Sequence, residues 1–111
     1  MNISLKVLSP SGYLTNAIVT KYTATNVKTM IDKITAINVT GGNVSLNVYL
    51  VRNGSTAGTS NKLIDSRTIG AGESYICDEL MGHYLEAGDF IAASASALTS
   101  IVFMASGREI T

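Results

Sequence analysis

Residues 44–51, which read VSLNVYLV, alternate between apolar and polar side chains with a period of two. The even-numbered residues of this stretch are all apolar, which is typical of a β-strand with one buried face. The odd-numbered residues begin polar but end in Tyr49 and Val51. We therefore expect that end of the strand to be covered on its second face as well.

A second strand is expected just upstream, in a stretch rich in Ile, Val and Thr. Ile31, Ile37 and Val39 fall on one face of this strand by simple alternation. Ile34 is out of phase with them. The pattern therefore predicts a bulge or bend near Lys33.

The short segment 41–43, Gly-Gly-Asn, separates these two stretches. Glycine reaches positive φ without steric cost, so we expect the segment to form the turn of a β-hairpin. Turn signals rich in Gly, Pro, Ser and Asp separate the remaining strands. The expected strands are Ile3–Leu8, Ala17–Thr23, Thr29–Thr40, Val44–Val51, Leu63–Ile69, Ser74–Cys77, Asp89–Ala97 and Ser100–Ala105.

Two other segments interrupt this strand pattern. The small, polar segment 53–61 is expected to be a mobile loop, and segment 78–86 can hold one helical turn. The sequence therefore predicts an all-β protein, with residues 1–111 forming a single-domain antiparallel β-sandwich that is jelly-roll-like. Within it, residues 1–16 are a candidate extended arm that could reach a partner.

The composition limits the classes of function. The chain has 111 residues, the size of one domain, and its 8 Lys and Arg residues balance its 8 Asp and Glu residues. A nucleic-acid-binding protein would carry a basic excess on one face, and a membrane span would need a longer apolar stretch, so neither partner is expected. A charged fraction of 14% favours burial of surface against another protein, including a second copy of the chain.

Few residues could carry chemistry. Asp78, Glu79 and His83 are a local cluster of types that suit acid–base catalysis or metal binding, but a metal would need a further ligand and the chain has no second His. Cys77 is followed by two acidic residues, which disfavours a thiolate nucleophile. We interpret the cluster as a solvated turn and Cys77 as a buried residue, and we expect no enzyme activity, metal site or cofactor.

Two segments suggest contact with another protein. Residues 101–104 are apolar on both faces, as in a strand that is covered on both sides, and residues 92–97 carry only small side chains, which let another backbone approach. A central sandwich strand and a tightly packed corner would explain the same patterns. The outward-facing apolar residues predicted to be buried by a partner are Tyr49, Val51, Val102 and Met104.

A set of segments in a particular order adds a resemblance. The segments are Tyr22–Thr25, Lys33–Thr40, Val44–Val51, Leu85–Ile91 and Ala105–Glu109. Their order resembles small β-sandwich structural proteins of tailed bacteriophages, most of all the capsid decoration, or staple, proteins of short-tailed phages. The run LEAGDFI at 85–91 is the most specific piece, although similar strand-entry turns occur in several virion proteins.

The resemblance implies a protein made in the host bacterial cytoplasm and located in the virion, on the outer surface of the capsid. There it would bind the major capsid protein and clamp neighbouring subunits as a homodimer on a two-fold axis. A different virion component, in the tail, the baseplate or the head–tail joint, is the alternative, and a carbohydrate-binding module is a further one. Oligomer symmetry separates the first two, because a tail component would form a trimer or larger ring.

Overall fold

The computed structural model describes residues 2–111, which form nine strands in two packed sheets. The strands are β1 (Ile3–Tyr13), β2 (Val19–Thr23), β3 (Lys28–Asn38), β4 (Val44–Val51), β5 (Lys62–Ile69), β6 (Ser74–Ile76), β7 (Tyr84–Leu85), β8 (Phe90–Ala95) and β9 (Ile101–Ile110). Two three-residue 3-10 turns, Thr59–Asn61 and Asp78–Leu80, are the helical pieces of this part of the chain. No helix within residues 2–111 has the length and apolarity that crossing a membrane requires.

The two sheets have the topology of a jelly roll. Sheet A has the strand order β1-β9-β3-β6, with β7 also pairing with β3, and sheet B has the order β2-β8-β4-β5. All pairs are antiparallel, and they are nested along the chain, because β1 pairs with β9, β2 with β8, β3 with β6 and β4 with β5. In this order the first strand pairs with the last and each following pair lies inside the previous one along the chain, which is the strand order of a jelly roll. The predicted single-domain antiparallel β-sandwich of jelly-roll type is therefore confirmed.

The first strand lies within this sandwich. Ile3–Tyr13 pairs with β9 along sheet A of its own chain, so the structure places most of residues 1–16 in a sheet rather than in an extended arm. The single helical turn predicted within 78–86 is confirmed as the 3-10 turn Asp78–Leu80.

The predicted hairpin at 41–43 is wrong, because the two strands that flank this segment lie in different sheets. Asn38 pairs with Ile101 in sheet A, whereas Val44 pairs with Ile69 in sheet B. Neither glycine of the segment has a positive φ. The buried Asn38 side chain fixes the crossing instead, since its amide donates to the carbonyl oxygens of Gly42 and Ile69 at 2.7 and 2.8 Å.

The predicted bulge near Lys33 is confirmed, but the faces assigned beyond it are wrong. The β3–β9 register shifts between Ile31 and Lys33. The extra residue reverses the alternation, so that Ile34 joins Ile31 in the interior. Ile37 and Val39 therefore lie on the outer face of the molecule and are exposed.

The core lies between the sheets and draws on both of them. Its large, fully buried side chains include Phe103, Ile31 and Ile34 of sheet A and Leu46, Val48 and Ile91 of sheet B. Within residues 2–111, every buried side-chain nitrogen or oxygen atom has a hydrogen-bond partner. The hydrogen-bonding needs of these buried polar groups are therefore met within the chain, which leaves the outer faces and edges of the sheets as the places for a functional surface.

Candidate interaction surface

The four residues predicted to contact a partner divide between the two sheets. Tyr49 and Val51 lie on the outer face of sheet B, and Val102 and Met104 lie on the outer face of sheet A. The outward direction of all four was predicted, but their exposure differs. Tyr49 and Val51 are buried, Val102 is half-buried and Met104 is 43% exposed. The first pair therefore does not offer surface to a partner, and this part of the prediction is corrected.

A loop of the same chain covers Tyr49 and Val51. We call residues 52–61 the covering loop, and its Ala57 packs with Phe90 and Ala92 against the two buried side chains. The Lys62 ammonium lies 5.6 Å from the centre of the Tyr49 ring and caps this small cluster. The expectation that this end of β4 is covered on both faces is thus confirmed.

Internal hydrogen bonds shape the covering loop. The Asn61 side chain donates to the Thr56 carbonyl oxygen at 2.8 Å and accepts from the Gly58 N–H at 2.9 Å. A turn between Arg52 and Ser55 closes the other end of the loop with a bond of 3.0 Å. These bonds give the segment a defined internal structure, and Ala57 packs it against sheet B, whereas its mobility stays a prediction.

Asp89 anchors the start of the covering loop. Its buried carboxylate accepts from the Arg52 guanidinium at 2.6 Å, from the Asn53 N–H at 2.8 Å and from the Glu86 N–H at 2.9 Å. Burial alone would raise the pKa of Asp89, but these hydrogen bonds outweigh burial and hold the pKa of the carboxyl below its usual value. The LEAGDFI run therefore has a structural role, in which a charged aspartate joins the turn before β8 to the covering loop.

Within residues 2–111 no segment covers sheet A in this way, and its outer face carries a cluster of exposed or half-buried apolar side chains. Tyr13, Val102 and Ile37 are directly opposite one another across β1, β9 and β3, so their side chains share one face. Met104 and Ile76 lie beside them, since both are opposite the same residue of β3. We call these five residues the sheet A patch.

The surroundings of the sheet A patch are polar and charged, and Lys33, two residues before Thr35 on the same face, is exposed and makes no ion pair among residues 2–111. Farther along β9, the Arg108 guanidinium donates to the two carboxylate oxygens of Asp32 at 2.9 and 3.2 Å. This bidentate pair contributes little to stability, but it neutralises the charges of Arg108 and Asp32. The patch thus combines an uncharged apolar centre with a polar rim, the arrangement that protein–protein interfaces show.

The residues that sequence suggested for chemistry do not assemble into a site. Asp78, Glu79 and His83 are all exposed, and residues 2–111 hold no group of three potential metal-ligating side chains. The Glu79 carboxylate instead accepts a hydrogen bond from the Tyr75 hydroxyl. Cys77 is fully buried, and burial together with the neighbouring acidic residues raises the pKa of its thiol to about 12. Such a thiol stays protonated and is a poor nucleophile.

Sequence reasoning missed three members of the sheet A patch. Ile37 was placed on the same face as Ile31, which is buried, and Tyr13 and Ile76 were not considered as partner contacts. The signal for Ile37 was present in the sequence, because a bulge near Lys33 requires the alternation to reverse after it. The signals for the other two lie in the strand order, which brings β1 and β6 into the same sheet as β9.

No protein-family model, curated protein or solved structure matches this chain.

Proposed function

We propose that this protein is a phage capsid decoration protein. It binds the outer surface of the shell formed by the major capsid protein and staples neighbouring subunits together, and so it acts in the virion. The observation that carries the proposal is the sheet A patch, an uncharged apolar surface in the middle of an otherwise complete jelly roll. The segment order that resembles phage structural proteins supports the same proposal.

The proposed role requires burial of apolar area and no chemistry. Apolar surface removed from water contributes about 25 cal/mol per Å² before the costs of association are subtracted. A specific contact of standard size buries about 1,600 Å² over both partners. A protein that binds the assembled shell better than free subunits shifts the equilibrium toward the shell and opposes its disassembly.

The uncharged character of the patch predicts how binding depends on salt. Tyr13, Ile37, Ile76, Val102 and Met104 carry no charge at neutral pH. Contacts between exposed charges weaken as salt screens them, whereas burial of apolar area does not. Binding to the shell is therefore expected to persist at high salt, unlike binding to nucleic acid or to an acidic surface.

The experiment is cosedimentation of the purified chain with shells assembled from the major capsid protein of the same phage. Wild-type protein is expected to pellet with the shells, and Met104→Glu, which puts a charge in the patch, is expected to bind at least about tenfold more weakly. The matched control is Met81→Glu, because Met81 is 44% exposed, against 43% for Met104, but lies beside the 3-10 turn after β6.

Two results would overturn the proposal. If wild-type protein stays in the supernatant, the shell is not its partner. If Met104→Glu and Met81→Glu bind equally well, the contact lies elsewhere on the molecule. Circular dichroism of both variants provides the folding control, since an exposed substitution is expected to leave the sandwich intact.

A further inference from the structure

The first half of β1 is a sheet edge: β9 pairs with one side of it, and nothing among residues 2–111 pairs with its other side. Its pairing with β9 runs in unbroken register from Ile3 to Val7, and the first shift comes after Val7. Leu5, at its centre, is 84% exposed, and Ile3 and Val7 on either side of it are also exposed. We call residues 3–7 the open edge.

The hydrogen-bonding pattern shows which backbone groups of the open edge face outward. Asn2 and Thr111 exchange both of their backbone hydrogen bonds, at 3.0 and 2.9 Å. In an antiparallel ladder such pairs alternate with pairs that make none, so the N–H and C=O groups of Ile3, Leu5 and Val7 point away from β9. These groups are available to a further strand.

The second half of β1 is protected in a way that the first half is not. Pro10 lies in it and has no N–H to donate, and the register with β9 shifts twice between Val7 and Gly12. Proline and bulges are the devices by which proteins prevent a strand edge from pairing with another chain. A pairing partner is thus confined to the open edge.

We infer that the open edge pairs in antiparallel fashion with the open edge of a second copy of this chain, about a two-fold axis between the two Leu5 residues. Leu5 then faces Leu5 of the second copy, and Ile3 faces Val7 of the second copy. Each of these facing pairs exchanges both backbone hydrogen bonds. The two sheets A become one continuous sheet, with an isologous interface of the kind that closed dimers use.

Side chains and charges fit this arrangement. Ile3, Leu5 and Val7 share the outer face of sheet A, so the facing pairs place branched apolar residues in contact across the axis. On the other face, Lys6 lies opposite Ser4 of the second copy, so no like charges are opposed. The Lys6 ammonium is also 4.0 Å from the Glu109 carboxylate of its own chain, which balances its charge.

The dimer has a consequence for the proposed function, on which this part of the inference rests. A two-fold axis perpendicular to the joined sheet leaves both outer faces on the same side. The two sheet A patches are then presented together, and one dimer can contact two capsid subunits at once. Two linked contacts raise the overall affinity well above that of either contact alone.

The direct test is disulfide crosslinking of Leu5→Cys. Opposed residues in such a pair have Cα atoms about 5.5 Å apart, within the range that a disulfide spans. Mild oxidation is expected to convert most of this variant to a covalent dimer. The control is Leu98→Cys, because Leu98 is 60% exposed but lies in the loop between β8 and β9. The native Cys77 is buried and does not compete.

A second measurement is the native mass by sedimentation equilibrium without shells. Wild-type protein is expected at twice the chain mass, and Leu5→Glu, which opposes two like charges on the axis, at the chain mass. If wild-type protein is a monomer, if Leu5→Glu stays dimeric, or if Leu98→Cys crosslinks as readily as Leu5→Cys, the inference is overturned. A dimer that ignores shells would reject the capsid role alone, and a shell-binding monomer would reject the dimer alone.

Discussion

The outer faces of both sheets carry apolar side chains on a central strand, but these side chains are covered on sheet B and uncovered on sheet A. On sheet B, the apolar end of β4 is sealed by the covering loop, and Val51 is 0% exposed. On sheet A, the corresponding central strand β9 carries Val102 and Met104, and no segment among residues 2–111 covers them. The difference lies in what the chain places over each face, since both strands carry apolar side chains there.

This comparison separates structural from functional apolar residues. Residues that the chain covers itself contribute to its folding, whereas residues that it leaves uncovered contribute only once a partner covers them. Tyr49 and Val51 belong to the first group, and the sheet A patch belongs to the second. Substitutions at matched positions of the two faces should therefore differ in what they damage.

The largest difference is expected between Val51→Asp and Val102→Asp. Both replace a valine on the outer face of a central strand, but Val51→Asp buries an unpaired carboxylate under the covering loop. We expect it to cost about 4 kcal/mol or more of the unfolding free energy, a large share of what a domain of this size has. Val102→Asp should cost about 1 kcal/mol, the range of strand propensity at an open site.

Urea denaturation followed by circular dichroism measures both values. Equal losses of unfolding free energy in the two variants would contradict the difference between the two faces. The wild-type midpoint serves as the reference, and an unchanged denaturant slope shows that both variants unfold from the same compact state.

The next largest effect is expected at the anchor of the covering loop. Asp89→Asn removes the charge that accepts from Arg52 and turns one acceptor into a donor opposite a backbone N–H, so we expect a loss of about 2–4 kcal/mol. The substitution should also loosen the covering loop. The matched measurement is the same substitution at the exposed Asp65, which should cost little.

The pH dependence of the unfolding free energy gives an independent measure of how much the charged Asp89 contributes to stability. Its pKa is lower in the folded protein than in the unfolded chain, so its contribution is complete above the unfolded pKa and is lost as the pH falls through the folded pKa. Urea midpoints at about pH 7 and at about pH 3 should therefore differ more in wild-type protein than in Asp89→Asn. A variant with the full acid sensitivity of wild-type protein would show that Asp89 is not charged in the fold.

The smallest effect is expected from Asn61→Ala, which removes both side-chain hydrogen bonds within the covering loop. The loss of unfolding free energy should be about 1 kcal/mol, because the freed backbone groups can bond to water. The face of sheet B should then become more accessible. Hydrogen exchange is expected to increase within residues 52–61 and to stay unchanged in β9, and uniform protection in both would contradict the role of Asn61.

The sequence predicts where the strands lie and, for most of them, which side chains face the interior, but it does not predict which strands pair with each other. The alternation of apolar and polar side chains in 44–51 predicts β4 with one buried face. The apolar residues Tyr49 and Val51 at its end predict that this end is covered on the other face as well. The glycines at 41–43 do not distinguish a hairpin from a crossing between sheets. That choice depends on Asn38, whose amide bonds to the carbonyl group of Gly42 within the crossing and to that of the distant Ile69.

The interaction surface was predicted in part for a similar reason. Val102 and Met104 are recognisable because their strand is apolar on both faces. The burial of Tyr49 and Val51 is not, because the segment that covers them is small and polar in sequence and holds only Ala57 against the sheet. The hydrogen bonds of the Asn61 side chain shape this segment locally, but its attachment depends on Asp89, which lies 36 residues from Asn53 along the chain and so outside any local pattern.

The most direct test of the open face compares two methionines in the same sample. Met104 and Met81 are similarly exposed, so both should be oxidised by hydrogen peroxide at similar rates in the free protein. On capsid shells, mass spectrometry of the peptides should show Met104 oxidised several-fold more slowly and Met81 unchanged. Equal oxidation of both methionines on the shell would contradict the proposal that the uncovered face of sheet A is the docking surface.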